Sequence, residues 1–133
     1  MYTKKLHLKT FLSSIILILL IFNFILPSTA KAYKDISPSD VRDMIDTSTL
    51  MLVIDVRVPK EYSKGKIRTS VNIPLNILKN TVIERNIPKS TIIITYSQDN
   101  ATAYQAAKIL DSLGYQQVYT LGSINSWPYE IIR

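Results

Sequence analysis

The 133-residue chain contains no cysteine, and its single histidine is His7, near the N-terminus. Such a chain can form no disulfide, offers no thiolate nucleophile and gives a metal no soft sulfur ligand. Beyond His7 there is no imidazole to act as a general base or to bind zinc, so no metal site and no cofactor are expected. Lipid attachment to an N-terminal cysteine is excluded as well. A basic surface is also lacking, although the formal net charge of +6 suggests one. Of the sixteen Lys and Arg, Lys4, Lys5, Lys9 and Lys31 lie in the N-terminal segment, which leaves twelve against ten acidic residues. No basic stripe remains for nucleic acid, and none is expected to bind.

What is present begins with a targeting pattern. Lys4, Lys5 and Lys9 precede an apolar run from Phe11 to Leu26, which is followed by Pro27-Ser28-Thr29-Ala30-Lys31-Ala32. Basic, apolar, then small is the order of a secretory signal, with Ala30 and Ala32 placed three and one before a cut. Cleavage after Ala32 is the first choice and after Ala30 the second, leaving residues 33–133 as the domain. The rival reading is an uncleaved membrane anchor over 11–26. Sixteen helical residues reach roughly 24 Å against about 30 Å of hydrocarbon, and Asn23 interrupts the run. Either way the domain is expected to be exported, extracellular, periplasmic or held at the cell envelope, with membrane contact only through the N-terminal segment.

Residues 33–133 read as alternating helices and strands. Ser37-Pro38-Ser39-Asp40 is a helix start, with Ser37 as cap and Pro38 at the first helical position, and the helix runs to about Asp46. Met51 to Val56 is an apolar run ended by charge, as in a strand buried on both faces. A helical turn at Pro59–Tyr62, a short strand at Ser70–Pro74 and a helical stripe from Leu75 to about Asn86 follow. Thr91–Tyr96 is the most hydrophobic strand, and Ala101–Leu113 is the best helix, stopped by Gly114. Gln117–Leu121 reads as the last strand, and Ile124–Ile132 as a closing helix interrupted by Pro128. This alternation predicts an α/β fold, a small parallel sheet flanked by helices.

The succession "VIDVRVPKEYSKGKI", "VNIPL", "IITYSQDNATAYQAAKIL" and "LGYQQVYTLGSINSW" resembles the rhodanese-like domain from end to end. The resemblance implies the three-layer fold of that family and a structural ion-pair network of Asp55, Arg57 and Glu61. Gly65, Ile67, Asn72, Ile73 and Pro74 match the next element, but the family's usual His is Lys66 and its Pro-Gly pair is Arg68-Thr69. Toward the C-terminus Gly114, Tyr115, Val118, Gly122 and Trp127 match, with Ser123 in place of a second Gly. Trp127 is expected in the core or at the sheet edge.

The resemblance also assigns the loop Ser97-Gln98-Asp99-Asn100-Ala101-Thr102. Ser97 falls at the family's catalytic cysteine and Thr102 at its arginine. Transfer of sulfur through an enzyme-bound persulfide needs a thiolate, and a serine hydroxyl needs a neighbouring base to react at all. The loop should also bind anions poorly. Asp99 adds a negative charge and Thr102 omits a positive one; at about 5 Å and an effective dielectric near 20, each unit charge is worth roughly 3 kcal/mol. Asp99 or Asn100 suffices as a helix cap. Asn100-Ala101-Thr102 is also a glycosylation acceptor, relevant only in a host that glycosylates exported proteins.

No catalytic residue is therefore expected, and the leading expectation is an inactive rhodanese-like binding or accessory module for an unknown protein partner or small ligand. One alternative is a serine-dependent hydrolase or phosphoryl-transfer enzyme centred on Ser97. Ser63-Lys64-Gly65-Lys66 matches S-x-x-K, although Gly65 between the partners does not suit the helix that motif needs. Another alternative is a docking partner in sulfur or redox traffic.

Overall fold

Apolar runs too short for helices become the middle of a five-stranded sheet. The computed structural model describes residues 13–16 and 33–133. Residues 13–16 are one helical stretch; the rest of the expected signal or anchor and both cleavage sites lie outside the described residues. Among the described residues no helix is long and apolar enough to cross a membrane.

In chain order the elements are β1 (Lys34–Asp35), α1 (Pro38–Asp46), β2 (Met51–Asp55), α2 (Pro59–Lys64), β3 (Val71–Asn72), α3 (Leu75–Glu84), β4 (Ile92–Ser97), α4 (Asn100–Ser112), β5 (Gln117–Ser123) and a 3-10 turn (Ile124–Ser126). The sheet order is β1-β5-β4-β2-β3 with every pairing parallel. The three-layer α/β architecture expected from the sequence is present.

The two-residue period of the strands sorts their side chains into two cores. Ile54 and Ile93 join Leu78 and Val82 of α3 and Ala106, Ala107 and Leu110 of α4 on one face. Val53, Ile94 and Tyr96 join Val41 of α1, Leu121 and Trp127 on the other. Burial on both faces explains why β2 and β4 read as continuous apolar runs. Ser37 caps α1 as its sequence suggested, its Oγ accepting from the Asp40 amide at 3.1 Å.

The closing segment differs from expectation. Instead of a helix over Ile124–Ile132, only Ile124–Ser126 turns, and the chain then extends until Ile132 pairs antiparallel with Lys66. Pro128 has no amide proton to continue a helix, and the Glu130 carbonyl accepts from the Trp127 indole at 3.2 Å. β1 was also missed. It is two exposed charged residues, Lys34 and Asp35, with no apolar pattern to mark it.

Candidate functional site

The connection leaving β2 runs out to β3 at one edge, whereas the connection leaving β4 runs to β5 on the other side. Between two such neighbouring strands a crevice opens beyond their carboxyl ends. Here it is a cleft of about 520 Å³ between Val56, Arg57 and Val58 after β2 and Ser97 and Gln98 at the end of β4. Pro74 and Leu75 close one side. Thr102, Gln105 and Ile109 of α4, spaced three and four apart so that they share a helix face, close the other.

Ser97 is 2 % exposed and lines this cleft. Its hydroxyl has no hydrogen-bond partner among the described residues. Asp99 caps α4: its carboxylate accepts from the Thr102 amide and from the Thr102 hydroxyl, both at 2.8 Å. The amide bond first, and then the hydroxyl bond, hold the Asp99 carboxyl below its ordinary value, so it stays ionised at neutral pH. The residue that falls at the family's arginine is thus a donor to an anion already built into the loop. Gln98 donates to Asn125 at 3.4 Å through its side chain, and its carbonyl accepts from the Ser123 hydroxyl at 2.7 Å. Asn100, the first residue of α4, accepts from the Ser123 amide at 2.8 Å. Ala101 is exposed on the helix surface.

That last bond depends on Gly122. β5 holds one more residue than β4 between its Thr120 and Gly122 pairings, and the bulge puts Gly122 at φ +79°. A Cβ there would sit 2.5 Å from Asn100 Oδ1.

The ion-pair network comes together only in part. Asp55, fully buried, accepts from Arg57 Nε at 3.0 Å on each oxygen, from Nη2 at 2.6 Å and from the Arg57 amide at 2.9 Å. Nη2 also donates to the Gly65 carbonyl at 2.7 Å. Burial works against the Arg57 charge, but the hydrogen bonds and charge of Asp55 raise its pKa overall. Glu61 is a correction: it pairs with Lys64 at 2.7 Å and not with Arg57. The Lys64 hydrogen bond lowers its pKa, with the Arg57 charge a smaller contribution. Asn72 completes the group, donating to the Asp55 carbonyl at 3.0 Å and the Arg57 carbonyl at 2.8 Å.

Nucleophilic chemistry finds no support in this arrangement. Ser63 donates to the Lys60 carbonyl, Lys64 is held by Glu61, and Lys66 lies over the Tyr62 ring at 4.9 Å, so the S-x-x-K residues do not assemble. Among the described residues no cluster of three or more Asp, Glu, His or Cys could hold a metal. The cleft-lining role of Gln105 and Ile109 went unread in the sequence, although their helical spacing from Thr102 could have shown it. The contact of Asn100 with the bulge carried no local signal, because it joins residues more than twenty positions apart.

Fold and site together define a parallel α/β domain with its crevice at a strand-loop-helix junction. The chain belongs to the rhodanese-like domain family, whose pattern it matches over residues 37–129. It is 33 % identical over 85 residues to a sulfurtransferase of Allochromatium vinosum, covering 63 % of this chain and 77 % of that protein. Over 71 residues it is 31 % identical to the thiosulfate sulfurtransferase PspE of Escherichia coli, covering 53 % and 68 %. A solved structure described as a rhodanese with anions from Escherichia coli is similar with a TM-score of 0.58 and 26 % identity, covering 62 % of this chain and 98 % of that one. The chain is therefore a rhodanese-like domain with sulfurtransferase homologues, and its lack of cysteine fits an inactive form.

Proposed function

We propose that this chain is an exported rhodanese-like domain that has lost sulfur-transfer chemistry and acts by binding through the cleft above Ser97. The observation that carries the reading is the loop itself. Its strand end offers a hydroxyl with no base, and the Thr102 donors are spent on the Asp99 carboxylate. The cleft itself is intact, with apolar walls from Val56, Leu75 and Ile109. A concave, mostly apolar space with a few polar groups is the usual form of a ligand site. Export rests on the basic, apolar, small-residue order of residues 4–32.

The test is thiocyanate formation from thiosulfate and cyanide by the purified chain. No formation above a boiled control is expected, and formation above that control would overturn the reading. For export, Edman sequencing of the protein recovered from cells should begin at Tyr33 and from the envelope or external fraction; an intact N-terminus in the cytoplasmic fraction would contradict it.

A further inference from the structure

A second cavity, of about 360 Å³, opens between α1 and the C-terminal segment. It is separate from the Ser97 cleft. Ile45, Trp127 and Tyr129 of its wall pack with the core on one face of the sheet, whereas Val56, Leu75 and Ile109 of the cleft pack on the other. Its apolar side ends in two guanidinium groups, those of Arg42 and Arg68.

Both meet Asp46 at the surface, with the Arg42 and Arg68 side chains 52 % and 58 % exposed. Asp46 accepts from Arg42 Nε at 3.4 Å and from Arg68 Nη2. The Arg42 guanidinium lies 4.4 Å from the Tyr129 ring centroid, and Tyr129 meets Trp127 edge-on at 5.0 Å. Stacking orients the Arg42 fork and the shared Asp46 carboxylate links it to Arg68, and each keeps further N–H donors uncommitted among the described residues. Two guanidiniums against the carboxylates of Asp46 and Glu130 make the lining neutral overall, so a ligand's carboxylate would be held by the uncommitted N–H donors and not by a surplus of charge. Glu130 makes no ion pair among the described residues and would disfavour a ligand carrying a second negative charge.

A turn brings Arg68 to the cavity. The Ser70 amide donates to the Ile67 carbonyl at 3.1 Å, and Thr69 has φ 70°. A turn with positive φ at its third residue favours Pro at the second position and Gly at the third. This chain puts Arg68 and Thr69 there. A β-branched residue at positive φ is strained. That turn presents the Arg68 guanidinium at the cavity.

We propose that this cavity binds a small monocarboxylate with an apolar body, Arg42 and Arg68 taking the carboxylate and Trp127 and Tyr129 the body. The carboxylate could belong to a free acid or to the end of a peptide chain. Trp127 is the only tryptophan in the sequence, so its emission reports this cavity and not the cleft.

The full chain is titrated with 4-phenylbutyrate, with its amide, with phenylsuccinate as a dianion, and with N-acetyl-leucine as a chain end. Saturable change in Trp127 emission is expected with the monocarboxylates, about tenfold or more weaker with the amide and the dianion. Tighter binding of N-acetyl-leucine than of 4-phenylbutyrate would assign a chain end, and the reverse a free acid. Arg68→Gln, with folding checked by circular dichroism, should weaken binding about tenfold or more, and Arg42→Gln is the second variant should the first not fold. Ser97→Ala should leave the affinity unchanged. No saturable response, equal affinity for the amide, or full affinity in both arginine variants would overturn the proposal.

Discussion

At the scale of single residues, the most consequential charge is the one placed where water does not reach. Asp55 is fully buried and meets Arg57 with three side-chain bonds and one amide bond. Breaking such a pair leaves a charge without compensation, and Asp55→Asn should cost about 3–5 kcal/mol in urea unfolding. Arg57→Lys keeps the charge but loses the fork and the bond to the Gly65 carbonyl, and it should also destabilise. Asp99 is an exposed counterpart. Its folded pKa lies below the ordinary 3.8, so its cap stabilises the fold above that value and loses its effect as pH falls through the folded pKa. The difference in urea midpoint between the natural chain and Asp99→Ala should therefore be present at about pH 7 and shrink as the pH is lowered below 3.8. An unchanged difference at the lower pH would mean that the carboxylate charge is not the origin. The pairing of Asp55 with Arg57 was legible through the family resemblance, and a charge that ends an apolar run agrees with it. Glu61 was not, because Lys64 lies one helical turn away on the exposed surface and competes for it successfully.

At the scale of elements, the loop and α4 owe their placement to β5. The bulge at Gly122 lets Asn100 reach the Ser123 amide, and a Cβ at Gly122 would collide with it and meet a left-handed φ besides. Gly122→Ala should destabilise by about 1–3 kcal/mol. In a double-mutant cycle Asn100→Ala should recover part of that loss, since the collision goes and only the backbone strain remains. Purely additive losses would show that Asn100 and Gly122 are not coupled. The long elements were readable from period alone: α4 from its apolar face, β2 and β4 from their apolar runs. The C-terminal segment was not, because Ile124, Trp127, Ile131 and Ile132 suggest a helical face, whereas Pro128 and the indole bond to Glu130 favour an extended chain. Its final pairing with Lys66 connects positions too distant for any local pattern.

At the scale of the whole molecule, family membership and missing chemistry can be separated by experiment. Should the cradle be intact and only its reactive groups absent, Ser97→Cys with Thr102→Arg should form more thiocyanate from thiosulfate and cyanide than the natural chain. Ser97→Cys alone should do so more weakly, because Asp99 keeps its charge beside the incoming anion. No activity in either variant would place the loss in the backbone of the loop as well as in its side chains. The fold class was legible from alternation of elements, but the cavity between α1 and the C-terminal segment was not. It is walled by residues as far apart as Arg42 and Ile132.

The order of the strands also dictates an order in time. β1 opens the domain at Lys34–Asp35, yet it pairs with β5, at Gln117–Ser123. A contact that spans most of the domain requires the ends of a long loop to meet. As the chain is made, β1 has no partner until β5 has emerged, so that edge of the sheet can be completed only after the other described strands exist.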